Sequence, residues 1–163
     1  MPFTPRRPHL WAARAALPAL LLAGCTSAVQ VDPAPSAADP VCAEVILSLP
    51  GELAGLPRVP TTSQATAGWG SPQAAIVLRC GVAPMGPTTD PCVTVTDPTG
   101  GSVDWVVTAD GTHADKTWTF VTYGRIPAVE VTVPQSLAGD KPDGLLMDVG
   151  SAVRHTAPLR TCV

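Results

Sequence analysis

The sequence has little positive charge for its length. Ten Lys and Arg stand against thirteen Asp and Glu in 163 residues, and three of the ten, Arg6, Arg7 and Arg14, precede residue 25. Without residues 1–24 the chain would carry a net charge of about −6. This sign excludes nucleic acids and anionic headgroups as partners held by electrostatic attraction.

The sequence also lacks the common catalytic motifs after residue 24. It contains no G-x-S-x-G, no H-E-x-x-H and no phosphate-binding loop, so three enzyme classes have no support. His113 and Asp115 have no further ligand at metal-binding spacing, and a solvated turn is favoured there. His155 is expected near a helix C-terminus, where the dipole favours a cation. We therefore predict no catalytic residue, no metal and no cofactor.

The N-terminal region is apolar but short. Residues 10–23 contain one charge, Arg14, and show no amphipathic pattern, while Arg6, Arg7 and His9 form a basic segment before them. Residues 15–24 cannot cross about 30 Å of hydrocarbon, which takes a helix of roughly 20 residues. The pattern predicts a signal peptide over residues 1–24.

The signal peptide ends in LAGC, residues 22–25. This ending resembles the lipobox of bacterial lipoproteins, in which the Cys thiol receives diacylglycerol before cleavage. Cys25 would become the lipidated N-terminus, and its acyl chains would hold the protein on the outer face of the cell membrane. An ordinary cleaved signal peptide with a chance Cys is the alternative. The Arg6-Arg7 pair leaves twin-arginine export open beside the general route.

After the leader we expect a tether and one domain. Residues 25–38 are small and polar with two prolines, a composition typical of a flexible linker. Residues 39–163 are long enough for a single domain with its own core.

Four cysteines, Cys42, Cys80, Cys92 and Cys162, fall in this domain. An even number in an exported chain predicts two disulfides, and four cysteines allow three connectivities. We favour Cys80 with Cys92, closing a short loop, and Cys42 with Cys162, joining the ends of the domain. A four-thiolate zinc site is the alternative, but the chain has no C-x-x-C pair.

The sequence of this domain predicts an α+β fold. Asp39 and Pro40 predict a helix over residues 40–49, and residues 56–72 read as a long loop around Trp69. About five strands follow, with alternation in AAIVLRCGV, CVTVTD, SVDWVVT, TWTFVTYG and AVEVTVP, separated by close turns. We expect a mostly antiparallel sheet flanked by an N-terminal and a C-terminal helix and joined by two disulfides.

Several of these segments stand together in one known pattern. Residues 69–134 contain four motifs in the order and approximate spacing of an uncharacterised actinobacterial family. These motifs are WGSPQAAIVLRCGV, VDW, GR and VEVTVP. The chain resembles the domain of unknown function 3515 family. It departs from the family pattern at Gly68, where Ala is usual, and at Ser71, where an acidic residue is common. The resemblance implies an envelope lipoprotein or membrane-attached protein without an assigned activity.

The candidate ligand-binding residues are Arg79, Arg125, Asp104 and Trp69. Guanidinium groups can bind carboxylate or phosphate in bidentate fashion, and Arg79 and Arg125 are expected to project over one face of the sheet near Asp104. The alternative is that Arg79 or Arg125 pairs with Asp104 and fixes strand register. Packing in the core is favoured for Trp105 and Trp118 over a sugar-stacking surface.

Three functions from different classes follow. The first is an exported lipoprotein with a non-catalytic interaction or support role, which predicts an exposed apolar patch. The second is a binding module for a small anionic envelope ligand, using Arg79, Arg125 and the Trp69 loop, which needs a cleft where the guanidinium groups converge. The third is an enzyme. The expected partners are the membrane, through lipid on Cys25, and an envelope protein or anionic ligand.

Overall fold

A computed structural model describes Met1 and residues 27–110, 117–139 and 141–162. The lipidation candidate Cys25 and the pair His113 and Asp115 lie outside these residues. The elements in chain order are α1 (Pro40–Ser48), β1 (Glu52–Leu53), β2 (Leu56–Val59), β3 (Thr66–Ser71), β4 (Ala74–Val82), β5 (Cys92–Thr96), β6 (Ser102–Asp110), β7 (Thr117–Thr122), β8 (Arg125–Ile126), β9 (Ala128–Pro134), α2 (Gln135–Ala138), α3 (Leu146–Val153) and β10 (Ala157–Pro158).

Eight strands form one sheet in the order β1-β2-β3-β4-β9-β7-β6-β5, and β8 pairs with β10 in a small second sheet. All strand pairs are antiparallel. The predicted mostly antiparallel sheet is confirmed, but it has eight strands instead of about five. The helices also differ from the expectation, because α2 was not predicted and α3 is followed by β10.

Helix α1 begins where its capping residue stands. The Asp39 carboxylate accepts a hydrogen bond from the Val41 N–H at 2.9 Å, and Pro40 occupies the first turn. Cys42 and Val45 are fully buried against the sheet. No helix among the described residues is long and apolar enough to cross a membrane.

The core lies between the helices and one face of the sheet. Ile76, Leu78 and Cys80 alternate into it from β4, and the same alternation runs through β6 and β9. Trp105 is fully buried, whereas Trp118 is half-buried, stacks on Phe120 with ring centroids 6.2 Å apart, and donates its indole N–H to the Gln135 side chain. The period-2 interpretation of these strands is confirmed.

The long loop expected over residues 56–72 is wrong, because β2 and β3 occupy most of it. Strand β3 pairs with β4 along its whole length. Its sequence, TAGWGS, contains Ala and Gly instead of β-branched residues, so strand propensity gave no signal. The absence of a side chain at Gly68 allows the neighbouring residues to pack closely against β3. An added Cβ at this position would be crowded, at 3.2 Å from the Thr61 methyl carbon and 3.3 Å from a Val59 methyl carbon.

Most of the expected tether is attached to the domain. The Val29 N–H donates to the Pro60 carbonyl at 2.8 Å, and the Ser36 N–H donates to the Gly81 carbonyl at 2.9 Å. Ala34 and Ala37 are buried on the sheet face opposite the helices. The small side chains of this segment allow the backbone to approach the sheet closely. A composition that is typical of a flexible linker therefore belongs here to a segment that is packed against the sheet.

The two predicted disulfides are present, but both favoured pairings are wrong. Cys42 bonds to Cys80 with Cα atoms 5.4 Å apart, and Cys92 bonds to Cys162 with Cα atoms 6.5 Å apart. The first joins α1 to the strand beneath it. The second joins edge strand β5 to the C-terminal segment, which returns across the sheet. Three-dimensional proximity, which loop length alone does not reveal, decides the connectivity.

The two disulfides differ in exposure, so we expect them to differ in reactivity. Cys42 and Cys80 are fully buried, whereas Cys92 is exposed and Cys162 is partly exposed. Access by the attacking thiolate limits thiol exchange. A mild thiol reductant should therefore open Cys92–Cys162 in the folded protein and leave Cys42–Cys80 intact. Alkylation followed by peptide mass analysis checks this, and label on Cys42 before label on Cys92 would contradict it.

Candidate functional site

Trp69 lies in the core and not on a binding loop. Its ring is fully buried, and its indole N–H donates to the Pro50 carbonyl at 3.1 Å. The Arg58 guanidinium lies 6.0 Å from the ring centroid. Trp69 therefore joins β3 to the end of α1 and offers no exposed face to a ligand.

Arg79 is held by a neighbouring strand. It stands directly opposite Glu130 in the β4–β9 pair, and its Nε donates to the Glu130 carboxylate at 2.8 Å. Its Nη1 also donates to the Asp32 carbonyl at 3.3 Å. The cross-strand ion pair that we considered for Arg79 exists, but its partner is Glu130 and not Asp104.

Arg125 is a buried cation. Only 7% of its surface is exposed, and its guanidinium donates to two carbonyl oxygens, of Thr156 at 2.7 Å and of Ser102 at 3.3 Å. Burial lowers the pKa of Arg125, while Asp104 opposes that shift and Arg154 adds to it. The side chain thus links the residues after α3 to the beginning of β6.

Asp104 holds the C-terminal segment. One carboxylate oxygen accepts the Thr94 hydroxyl at 2.6 Å, and the other accepts the Cys162 N–H at 2.9 Å. No arginine among the described residues forms an ion pair with Asp104. Asp104 and the Cys92–Cys162 disulfide therefore fix the same stretch of chain to the outer face of β5 and β6.

A cleft opens between this segment and the sheet, with a volume of about 420 Å³. We call it the C-terminal cleft. It contains Arg125 and Asp104, but neither Arg79 nor Trp69. Its lining residues are Thr94, Ser102, Asp104, Tyr123, Arg125, Pro158, Arg160, Thr161 and Cys162. Two of the four predicted ligand-binding residues therefore meet, and the other two lie elsewhere.

Comparisons with known proteins agree with the sequence pattern. The chain matches the DUF3515 family, described as proteins of unknown function, over residues 19–162. It belongs to the DUF3515 family. No curated protein and no solved structure matches the chain. The family match extends through the residues that line the C-terminal cleft. Asp104 and Arg125 belong to the VDW and GR motifs that carried the resemblance, whereas the lining residues from Pro158 onward lie beyond those motifs.

The DUF3515 domain also contains a buried ion pair that the sequence did not reveal. The Asp97 side chain is fully buried, and its carboxylate accepts the Arg154 Nε–H at 2.8 Å. It also accepts the Thr99 N–H at 2.8 Å, the Thr99 hydroxyl at 2.6 Å and the Gly101 N–H at 3.3 Å. The segment DPTGGS, residues 97–102, has a composition typical of a turn, and the Asp at its start is the one feature of this segment that could have indicated the ion pair.

These hydrogen bonds, led by the Thr99 hydroxyl, lower the pKa of Asp97 from 3.8 to about 2. A carboxyl group with a depressed folded-state pKa stabilises the fold above its unfolded pKa and loses that contribution as pH falls. We expect the stability from Asp97 to disappear between about pH 4 and about pH 2. Urea unfolding at several pH values should show the free energy of unfolding falling as the pH is lowered through this interval.

In Asp97→Asn, the free energy of unfolding should fall less steeply as the pH is lowered through this interval. Asp143→Asn changes an exposed carboxylate and should show the same pH dependence as the parent protein. An Asp97→Asn protein that loses stability over the same interval as the parent would contradict the assignment.

Ser48, His155 and Glu44 of the DUF3515 chain have the connectivity of a hydrolase triad. The Ser48 hydroxyl lies 3.0 Å from His155 Nε2, and the Glu44 carboxylate lies 3.5 Å from Nδ1. All three residues are exposed, and the Glu44 side chain is 64% exposed. They line none of the clefts near the C-terminal segment. Their evident effect is to join α1 to the end of α3.

Among the described residues, no group of three His, Cys, Asp or Glu side chains is close enough to hold a metal ion. The pair His113 and Asp115 lies outside those residues.

Proposed function

We propose that this DUF3515 protein is an exported lipoprotein, attached to the outer face of the membrane by lipid on Cys25, with a non-catalytic interaction or support role. The observation that carries the proposal is the pairing of all four domain cysteines in two disulfides behind a leader that ends in LAGC. Disulfides persist in oxidising compartments, and the fifth cysteine is then the one available for lipid.

An apolar groove on the surface of the domain supports an interaction role. Ile126 and Leu159 are large apolar residues with 47% and 63% of their surface exposed, and they line one groove with Pro84 and Met85. Apolar side chains that cluster on a surface are typical of contact sites for other molecules. The groove lies on the small β8–β10 sheet, away from the disulfide in the core.

The lipid attachment is tested by Cys25→Ser, with Thr26→Ser as the control that leaves LAGC unchanged. In cells grown with a labelled fatty acid, the parent protein and Thr26→Ser should carry the label, and Cys25→Ser should not. Label on Cys25→Ser, or no label on the parent protein, would overturn the proposal.

Exposure of the Ser48, His155 and Glu44 group supports a role without catalysis. A solvated ion pair is strongly screened, and water competes for every hydrogen bond of the group. Acyl transfer also needs preorganised donors for the developing oxyanion in a site that excludes water.

We therefore expect the parent protein and Ser48→Ala to hydrolyse p-nitrophenyl acetate at the same slow rate. Stopped-flow absorbance checks this, with Ser151→Ala as an exposed serine control. A burst of nitrophenolate in the parent protein and in Ser151→Ala, lost in Ser48→Ala, would instead identify an acyl-enzyme and contradict the non-catalytic proposal.

A further inference from the structure

We infer that the C-terminal cleft binds a small hydroxylated carboxylate, such as a sugar acid or a hydroxy acid. The cleft volume of about 420 Å³ is within the range of small-molecule sites. Its walls are the outer face of β5 and β6 on one side and the disulfide-bonded C-terminal segment on the other. Both walls are fixed by covalent or hydrogen bonds, so the site is formed before a ligand arrives.

The first reason is the state of Arg125. Its guanidinium is buried, yet among the described residues its hydrogen-bond partners are two neutral carbonyl oxygens and no carboxylate. A guanidinium has five N–H donors, so donors remain beyond these two bonds. A buried cation without an ion pair is costly, and burial accordingly lowers the pKa of Arg125. A ligand anion would offset that cost.

The second reason is the charge of the lining. Arg125 and Arg160 carry two positive charges, and Asp104 carries one negative charge, so the cleft has one net positive charge. Both Asp104 oxygens already accept hydrogen bonds from the protein. A monoanionic carboxylate matches this net charge, whereas a phosphate dianion exceeds it. A carboxylate also fits the planar guanidinium in bidentate fashion.

The third reason is a set of unused polar groups. Within the described chain, the side chains of Tyr123, Arg160 and Thr161 make no hydrogen bond or ion pair, although all three line the cleft. The Tyr123 and Thr161 hydroxyls can each donate and accept hydrogen bonds, as can the hydroxyls of a sugar acid. The Tyr123 ring and Pro158 supply apolar surface for the carbon face of such a ligand.

The test uses the full-length protein in detergent and measures binding by saturation-transfer NMR. The probes are D-glucuronate, D-glucose as its neutral counterpart, and inorganic phosphate. We expect saturable binding of glucuronate and at least about tenfold weaker binding of glucose, because glucose cannot form the charge-assisted hydrogen bonds that a carboxylate forms with a guanidinium. Equal binding of glucose, tighter binding of phosphate, or no binding of glucuronate would overturn the inference.

Variants locate the site. Arg160→Gln and Tyr123→Phe change polar groups that hold no other part of the described chain, so both proteins should fold. Arg160→Gln should weaken the binding of glucuronate about tenfold and leave the binding of glucose unchanged. Tyr123→Phe should weaken the binding of both sugars. Arg79→Gln removes a guanidinium outside the cleft and should bind as the parent protein does. Parent-like binding by Arg160→Gln, or a loss in Arg79→Gln as large as in Arg160→Gln, would contradict the site.

Discussion

Replacing Cys42 and Cys80 together by alanine should lower the free energy of unfolding by about 4 kcal/mol or more. The disulfide closes a loop with a sequence separation of 38, and its release gives the unfolded chain the corresponding freedom. Both sulfur atoms are also buried in the core between α1 and β4, so their removal leaves a cavity. Equilibrium unfolding in urea measures the loss.

Cys92→Ala with Cys162→Ala is the matched comparison. Its loop is longer, with a sequence separation of 70, but its cysteines lie at the surface and their removal leaves no core cavity. We expect this second double variant to remain folded and to be the more stable of the two. A larger loss in the surface variant, or a loss below about 1 kcal/mol in the core variant, would contradict the account of the core.

Trp69→Ala should destabilise the fold by about 3–5 kcal/mol, the usual cost of truncating a buried aromatic residue. Its ring is fully buried, and truncation also leaves the Pro50 carbonyl without its indole donor. A loss of this size would show that Trp69 is a core residue and not the ligand-contacting residue that the sequence led us to consider. Truncating an exposed binding residue changes the affinity for the ligand and leaves the stability of the fold almost unchanged.

Trp118→Ala provides the control within the same residue type. Trp118 is half-buried, and its indole N–H bonds to a side chain at the surface. It should cost clearly less stability than Trp69→Ala. Similar losses for the two variants, or wild-type stability in Trp69→Ala, would show that the burial of Trp69 is misassigned. Thermal and urea unfolding of both variants decide between these outcomes.

Much of the fold was predictable because local rules and tertiary packing agree. Asp39 and Pro40 mark the start of α1, since a carboxylate cap and a preset φ act within one turn. In β4, apolar residues alternate with period 2, and the buried face follows that alternation. Such features depend on neighbouring residues alone, so a single sequence contains them.

Other features were not predictable because they depend on contacts far apart in sequence. Strand β3 contains small residues and becomes a strand by pairing with β4. Residues 29–37 look like a linker, yet the same small side chains let them approach Gly81 and the outer face of the sheet. The disulfide connectivity depends on which strand lies beneath α1 and on where the chain returns after α3.

The candidate site was predictable only in part. Arg125 was selected because basic residues are few in this acidic chain, and Asp104 because it was expected near the arginines on one face of the sheet. These two residues do share a cleft. Arg79 was selected for the same reason as Arg125, but the residue opposite it is set by the β4–β9 register, which was not known. Arg160 and Tyr123 drew no attention, because the cleft that both line exists only where the C-terminal segment, held by the Cys92–Cys162 disulfide, returns to the sheet.

We propose that this chain is a lipoprotein, and its domain contains two disulfides. Intact mass of the protein extracted from membranes, with an alkylating label added before and after full reduction under denaturing conditions, tests it most directly. The account predicts a chain that begins at diacylated Cys25 and gains four labels only after reduction. A chain that retains residues 1–24, or that takes up label without reduction, would contradict it.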